Sequence, residues 1–171
     1  VKQSSIQNQS NRTYQISVLD GIQNIMPHGV SSDLQASTSN LVDAYKRSEL
    51  HQNSGLGIFA LSAIIVDKAE PSEALKANIA YALGLENPSY LLSSLQVNNF
   101  RKGSSVLQED DIKGEKGAYF INSEISLGAN AEKKWMIVAN VNQNHSYIVQ
   151  LIETISNDAT LENRIQDNIE L

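Results

Sequence analysis

The feature that most constrains this chain is a change of hydrophobic period near residue 144. Before it, the recognisable apolar runs are strand-like, and the clearest is Trp135-Met136-Ile137-Val138-Ala139-Asn140-Val141. From His145 onward the apolar positions fall at helical spacing. Ile148, Val149, Leu151, Ile152 and Ile155 line one face, and Leu161, Ile165 and Ile169 line another. The expected fold is therefore mainly β, an antiparallel sandwich followed by C-terminal helices. The sequence begins at Val1 without an initiator Met and stops at Leu171 inside the second helical pattern. That reads as a β domain cut from a longer polypeptide just as a helical region starts.

Composition removes several function classes. At 171 residues the chain suits one domain with a real core. Its net charge of −6 and its 13 scattered basic residues argue against nucleic acid, which demands a clustered basic surface. The densest basic groups are Lys46-Arg47 and Arg101-Lys102. With no Cys, disulfides, Cys-ligated zinc and a thiol nucleophile are excluded. No apolar run approaches the ~20 residues of a membrane span, so no membrane partner is expected. The expectation is a soluble protein whose compartment, cytoplasmic or periplasmic, the residues leave open.

Along the chain, residues 1–11 are polar and read as a frayed lead-in. Residues 12–143 carry the strand patterns and residues 144–171 the helical ones. Residues 12–19 alternate, with Tyr14, Ile16 and Val18 on one side, and Asp20-Gly21 then reads as a turn. Residues 31–50 read as a long loop with one helical turn, in which Ser32-Asp33 could cap Leu34, Leu41, Val42 and Tyr45. Ser54-Gly55-Leu56-Gly57 is a turn opening a strand over 58–66, apolar enough to be buried on both faces. Residues 74–85 are apolar at both periods; propensity favours helix, and the core over 78–84 can equally be a strand. Asn87-Pro88-Ser89 is a turn. Gly117 to Leu127 and residues 134–141 are joined by a short connection and predict an antiparallel hairpin.

Candidate chemistry is sparse. His28, His51 and His145 lack the i, i+4 spacing and carboxylate neighbours of a metal site, so a surface role outweighs metal binding. No cofactor is expected. Asp33, Asp43, Asp67, Glu70 and Glu73 could supply a glycosidase pair, yet acidic loop residues are mostly solvated, and no catalytic residue is assigned. Asp43-Ala44-Tyr45-Lys46-Arg47 joins a ring, two cations and an acid, a mixture that can hold a sugar by stacking and hydrogen bonds. The plainer alternative is an exposed helix end with basic residues near its C-terminus. Asp33, Asp43, Tyr45, Lys46 and Arg47 are the substrate-binding candidates. Trp135 reads as a core anchor rather than a sugar platform. Asn11-Arg12-Thr13 and Asn144-His145-Ser146 match the glycosylation sequon by a pattern common by chance, and Ser146 reads as a helix cap.

Several segments resemble the N-terminal β-sandwich region of cellobiose-phosphorylase-like proteins, which are glycoside phosphorylases and related hydrolases. They are Ser17-Val18-Leu19-Asp20-Gly21-Ile22-Gln23-Asn24-Ile25-Met26-Pro27, Ser32-Asp33-Leu34-Gln35 and Asp43-Ala44-Tyr45-Lys46-Arg47. Asp67-Lys68-Ala69-Glu70-Pro71-Ser72-Glu73-Ala74, Gly117-Ala118-Tyr119-Phe120 and residues 134–143 complete the likeness. The resemblance implies a galactose-mutarotase-like sandwich, then a helical linker into an (α/α)6 barrel that holds the catalytic carboxylate. That would explain the switch of period, and it tips residues 74–85 to strand. At this length the chain could hold only part of such a sandwich. The implied role is a non-catalytic sandwich domain of a bacterial carbohydrate-active enzyme. Its implied partners are a carbohydrate, the (α/α)6 domain of the same parent chain and a second copy in a homodimer. The alternative is a self-standing carbohydrate-binding or structural module.

Overall fold

Two antiparallel sheets face each other, and two helices cover the outer face of the larger one. A computed structural model describes residues 1–37, 39–62 and 76–169. The elements run β1 (Lys2–Gln7), β2 (Tyr14–Ile25), α1 (Ser32–Ser37), α2 (Ser39–Tyr45), β3 (Lys46–His51) and β4 (Leu56–Leu61). They continue β5 (Lys76–Leu83), β6 (Ser89–Leu91), α3 (Val97–Arg101), β7 (Asp111–Lys113), β8 (Gly117–Leu127), β9 (Glu132–Asn144), α4 (His145–Asn157) and α5 (Leu161–Ile169). The large sheet has the order β1-β9-β5-β4-β3-β7 and the small one β2-β8-β6. The mainly β, sandwich-like fold read from the sequence is the fold of the chain, with helices at its C-terminal end.

The sandwich interior is built by alternation. Tyr119, Ile121, Ile125 and Leu127 of β8 point at Leu50, Phe59, Ala80, Trp135 and Ile137 of the large sheet. The opposite face of β8 starts apolar, where Ala118 and Phe120 pack with Leu91 under Val97 and Val106. It ends polar, at Glu124 and Ser126. On the outer face of the large sheet, Leu56, Ala77, Ile79 and Tyr81 receive Ile148 and Leu151 of α4 and Leu161 of α5. Strand β4 is thus covered on both sides, as its apolar run predicts, and β5 is a strand where propensity favoured helix. The remainder of the predicted 58–66 run lies largely outside the described residues, as do Asp67, Glu70 and Glu73.

Five sequence expectations are corrected. The polar lead-in is strand β1, paired with β9 from Lys2↔Ile137 to Gln7↔Glu132. Its polarity suits an edge strand, whose outward side chains stay in water while Ile6 packs inward. Asp20-Gly21 is not a turn but the middle of β2, paired with Ile121 and Phe120. Gly21 is small because a Cβ there would lie 2.3 Å from the Phe120 ring. Residues 31–50 are two short helices and strand β3 rather than a long loop. Lys46 and Ser48 stand where a strand reading would ask for apolar residues, and both are buried.

The fourth correction is topological. The predicted hairpin of β8 and β9 does not exist, because β8 pairs with β2 and β6 while β9 pairs with β1 and β5. The connection at 128–131 is a corner between sheets, held by the parallel corner that leads from β1 to β2. Asn8, 7% exposed, donates through Nδ2 to the carbonyls of Arg12, Leu127 and Gly128. Its backbone N–H reaches Ala131 O, and Asn130 N–H reaches Ser10 O. With their backbones engaged in this way, β1 claims the ladder of β9 and β2 that of β8. Helix α4 is also capped two residues earlier than expected. Asn144 is the cap, accepting from Tyr147 N–H at 2.9 Å, and Ser146 lies inside the helix.

Candidate functional site

The structure divides the five nominated residues between two faces of one strand. Along β3 the side chains alternate, so Lys46 points into the sandwich and Arg47 away from it. Lys46 is 3% exposed, and its ammonium donates to Gln35 Oε1 at 2.6 Å and Asp43 Oδ1 at 2.7 Å. Gln35 Nε2 also reaches Asp43 Oδ1, at 3.3 Å. Helices α1 and α2 are therefore pinned to the start of β3 by one buried cation. Arg47, on the far face, forks onto Asp111 at 3.0 and 3.3 Å and pairs with Glu49 at 2.9 Å. Asp33 is exposed in the first turn of α1. The half-buried Tyr45 ends α2, and its carbonyl accepts from Ser62 N–H and Oγ. Asp43 and Lys46 are brought together; Arg47 cannot share a ligand with them.

Asp43 opens onto a polar cleft of about 550 Å³ beside β2 and α3. Gln23, Asn24, Ser94, Asn98, Glu115 and Lys116 line it with Asp43, and the exposed Leu95 stands at its rim. Asn24 adopts φ 58° at a bulge in the β2–β8 ladder, a backbone region that Asn tolerates better than most residues. Gln23 Nε2 donates to Ser94 Oγ at 2.9 Å and ties β2 to the loop before α3. That loop is itself fixed from behind by Glu109, 8% exposed. Its carboxylate accepts from the N–H groups of Leu92 and Ser93, both at 2.8 Å, and from Gln96 Nε2. The cleft walls are thus held by hydrogen bonds on three sides.

The hydrogen bond from Lys46 is the main influence that holds the Asp43 carboxyl below its usual range, against burial and with help from Gln35 and Lys116. At neutral pH Asp43 is an anion that accepts hydrogen bonds and has no proton to give. The surrounding amides and hydroxyl both donate and accept. Such a set suits recognition of a hydroxyl-rich ligand. Pattern reading missed Gln23, Asn24, Ser94, Asn98 and Lys116, because no spacing marks residues gathered from three segments. Among the described residues, no group of three or more His, Asp or Glu is placed to hold a metal. None of the helices among them is long and apolar enough to cross a membrane.

Trp135 is the anchor its sequence context suggested. It is 6% exposed in the sandwich core, with Nε1 donating to Asp20 Oδ2 at 2.8 Å. In comparisons with known proteins, the chain matches no family model and no curated sequence.

Proposed function

We propose that the chain is a non-catalytic β-sandwich domain of a carbohydrate-active enzyme of the glycoside phosphorylase or hydrolase kind. In this reading it packs on an (α/α)6 catalytic domain of the same parent chain and shapes a sugar site with its Asp43 cleft. The observation that carries the reading is the chemistry of that cleft. Three amides, one hydroxyl and a carboxylate fixed by a buried lysine line it, which is how proteins meet the alternating donors and acceptors of a sugar. The resemblance of residues 43–47 to the cellobiose-phosphorylase-like proteins also supports it.

A second reading, a self-standing carbohydrate-binding or structural module, has one observation in its favour. Helices α4 and α5 already cover the outer face of the large sheet. Sequencing the gene beyond the codon for Leu171 separates the two.

The sugar role is tested by titrating ¹⁵N-labelled protein with cello-oligosaccharides. Amide shifts are expected at residues 23–24, 94–98 and 114–116. An unchanged cleft at millimolar sugar refutes the role. Assays with aryl glycosides, and with oligosaccharides plus phosphate, should show no turnover; turnover abolished by Asp33→Asn or Asp43→Asn would make the domain itself an enzyme.

A further inference from the structure

Strand β2 is a free edge of the small sheet, 12 residues long and paired with β8 alone. Its register with β8 is unbroken from Tyr14 to Gln23. Gly21 shows which of its backbone groups face outward. The Gly21 N–H donates to Asp20 Oδ1 at 2.9 Å and its carbonyl accepts from Lys2 Nζ at 3.2 Å, so both point away from β8. Backbone direction alternates along an antiparallel strand, so the N–H and C=O groups of Gln15, Ser17 and Leu19 point the same way. Among the described residues these groups have no partner. Lys2 and Asp20 close the edge at Gly21 and leave the stretch before it open. Residues 14–19 also lack the charges and proline with which edge strands usually turn away a further strand.

We propose that β2 pairs antiparallel with β2 of a second copy, about a two-fold axis at Ser17, and so joins the two small sheets into one. One register uses all three open positions, with Ser17 opposite Ser17 and Gln15 opposite Leu19. It sets Ile16 of each copy beside Val18 of the other. Both side chains face the sandwich interior and are only half-buried in the single chain, so the pairing covers apolar surface left open at the edge. Asp20 is the one charged residue of the strand, and this register puts it opposite Tyr14, so no like charges meet across the axis. The edge is thus complementary to itself, which is what a two-fold contact requires. The pairing owes nothing to the cleft or its ligand.

The test is light scattering on the full chain during size-exclusion chromatography, over a concentration series. A dimer is expected at high micromolar concentration. Ser17→Pro removes an outward N–H without touching the β8 ladder, and it should weaken dimerisation about ten-fold or more. If that variant does not fold, Ser17→Asp sets two carboxylates face to face across the axis and should weaken it likewise. Ser17→Cys should oxidise to a disulfide-linked dimer, because facing positions of a ladder lie within bridging reach. Glu124→Cys, behind Ser17 on β8, should not. A monomer at every concentration overturns the proposal. So does a dimer that is indifferent to Ser17→Pro and Ser17→Asp and forms no cross-link in the Ser17→Cys protein, since its interface then lies on another face.

Discussion

At the scale of single residues, Asp20 is the side chain that joins the two sheets. It sits on the inner face of edge strand β2 and accepts from Lys2 Nζ, Ser4 Oγ at 2.7 Å, Trp135 Nε1 at 2.8 Å and its neighbour's N–H at 2.9 Å. Lys2 and Ser4 belong to β1 and Trp135 to β9, so one carboxylate clamps the open side of the sandwich. Burial alone would raise its pKa, but hydrogen bonds from Lys2, Ser4 and Trp135 outweigh burial and bring it below the ordinary 3.8. A depressed carboxyl adds stability above its unfolded pKa and loses it as pH falls through the folded one. The clamp therefore works at neutral pH and fails in acid below 3.8. Asp20→Ala should cost about 1–3 kcal/mol at neutral pH, because it leaves the Trp135 and Ser4 donors without their acceptor. Urea unfolding measures this. The gap between the parent and Asp20→Asn should close as the medium is acidified past 3.8; a gap that widens there would refute the charge-based clamp.

At the scale of elements, the lesson lies in the corner between β8 and β9. Alternation identified β8, and the continuous apolar run identified β9, because burial writes those patterns directly into sequence. Their pairing was not legible, because a four-residue connection serves a hairpin and a sheet-to-sheet corner equally well. What decides between them is Asn8, far away in sequence, and no local signal marks it. Strands β1 and β3 were missed for a related reason. Their inward positions include Lys2, Ser4 and Lys46, polar groups satisfied by partners that only the fold supplies, and the small Ser48. The same holds for the cleft, whose Asp43 and Lys46 were legible as a local cluster while its amides were not. The pairing itself is open to test, since the chain has no Cys. Ser5→Cys with Lys134→Cys should oxidise to an intramolecular disulfide, because Ser5↔Lys134 are ladder partners within bridging reach. Ser126→Cys with Lys133→Cys, partners in a hairpin that is not formed, should not. The reverse result would restore the hairpin. Asn8→Ala should cost about 2 kcal/mol or more in thermal or urea unfolding, since it strips the corner of its buried hydrogen bonds.

At the scale of the whole molecule, the question is where the domain ends. The resemblance implied that residues 144–171 are a helical linker leading into a barrel. In the structure both helices lie on one cluster with the large sheet. Ile148 and Leu151 are buried beside Tyr81 and Ile79, Leu161 is 6% exposed, and the half-buried Ile165 packs on the same group. Helix α5 is further tied to the edge strand through Gln3 Nε2 and Gln166 Oε1 at 2.5 Å. Its grip is nonetheless narrower than that of α4, for Leu161 is its one buried residue and Ile169 is 42% exposed. Isolated helices of this length are marginal in water, so α5 persists only as far as Leu161 and Ile165 hold it down. Leu161→Ala should then cost about 2–4 kcal/mol, the usual loss for an emptied core leucine site. Amide exchange supplies the second measure. If α5 is a third layer of the domain, protection at Ile165 should fall in Leu161→Ala while Ile137 and Tyr119 keep theirs, a local opening ahead of global unfolding. A cost under about 0.5 kcal/mol, the range of surface changes, would return α5 to the status of a linker and revive the expectation that its apolar stripe serves a partner domain.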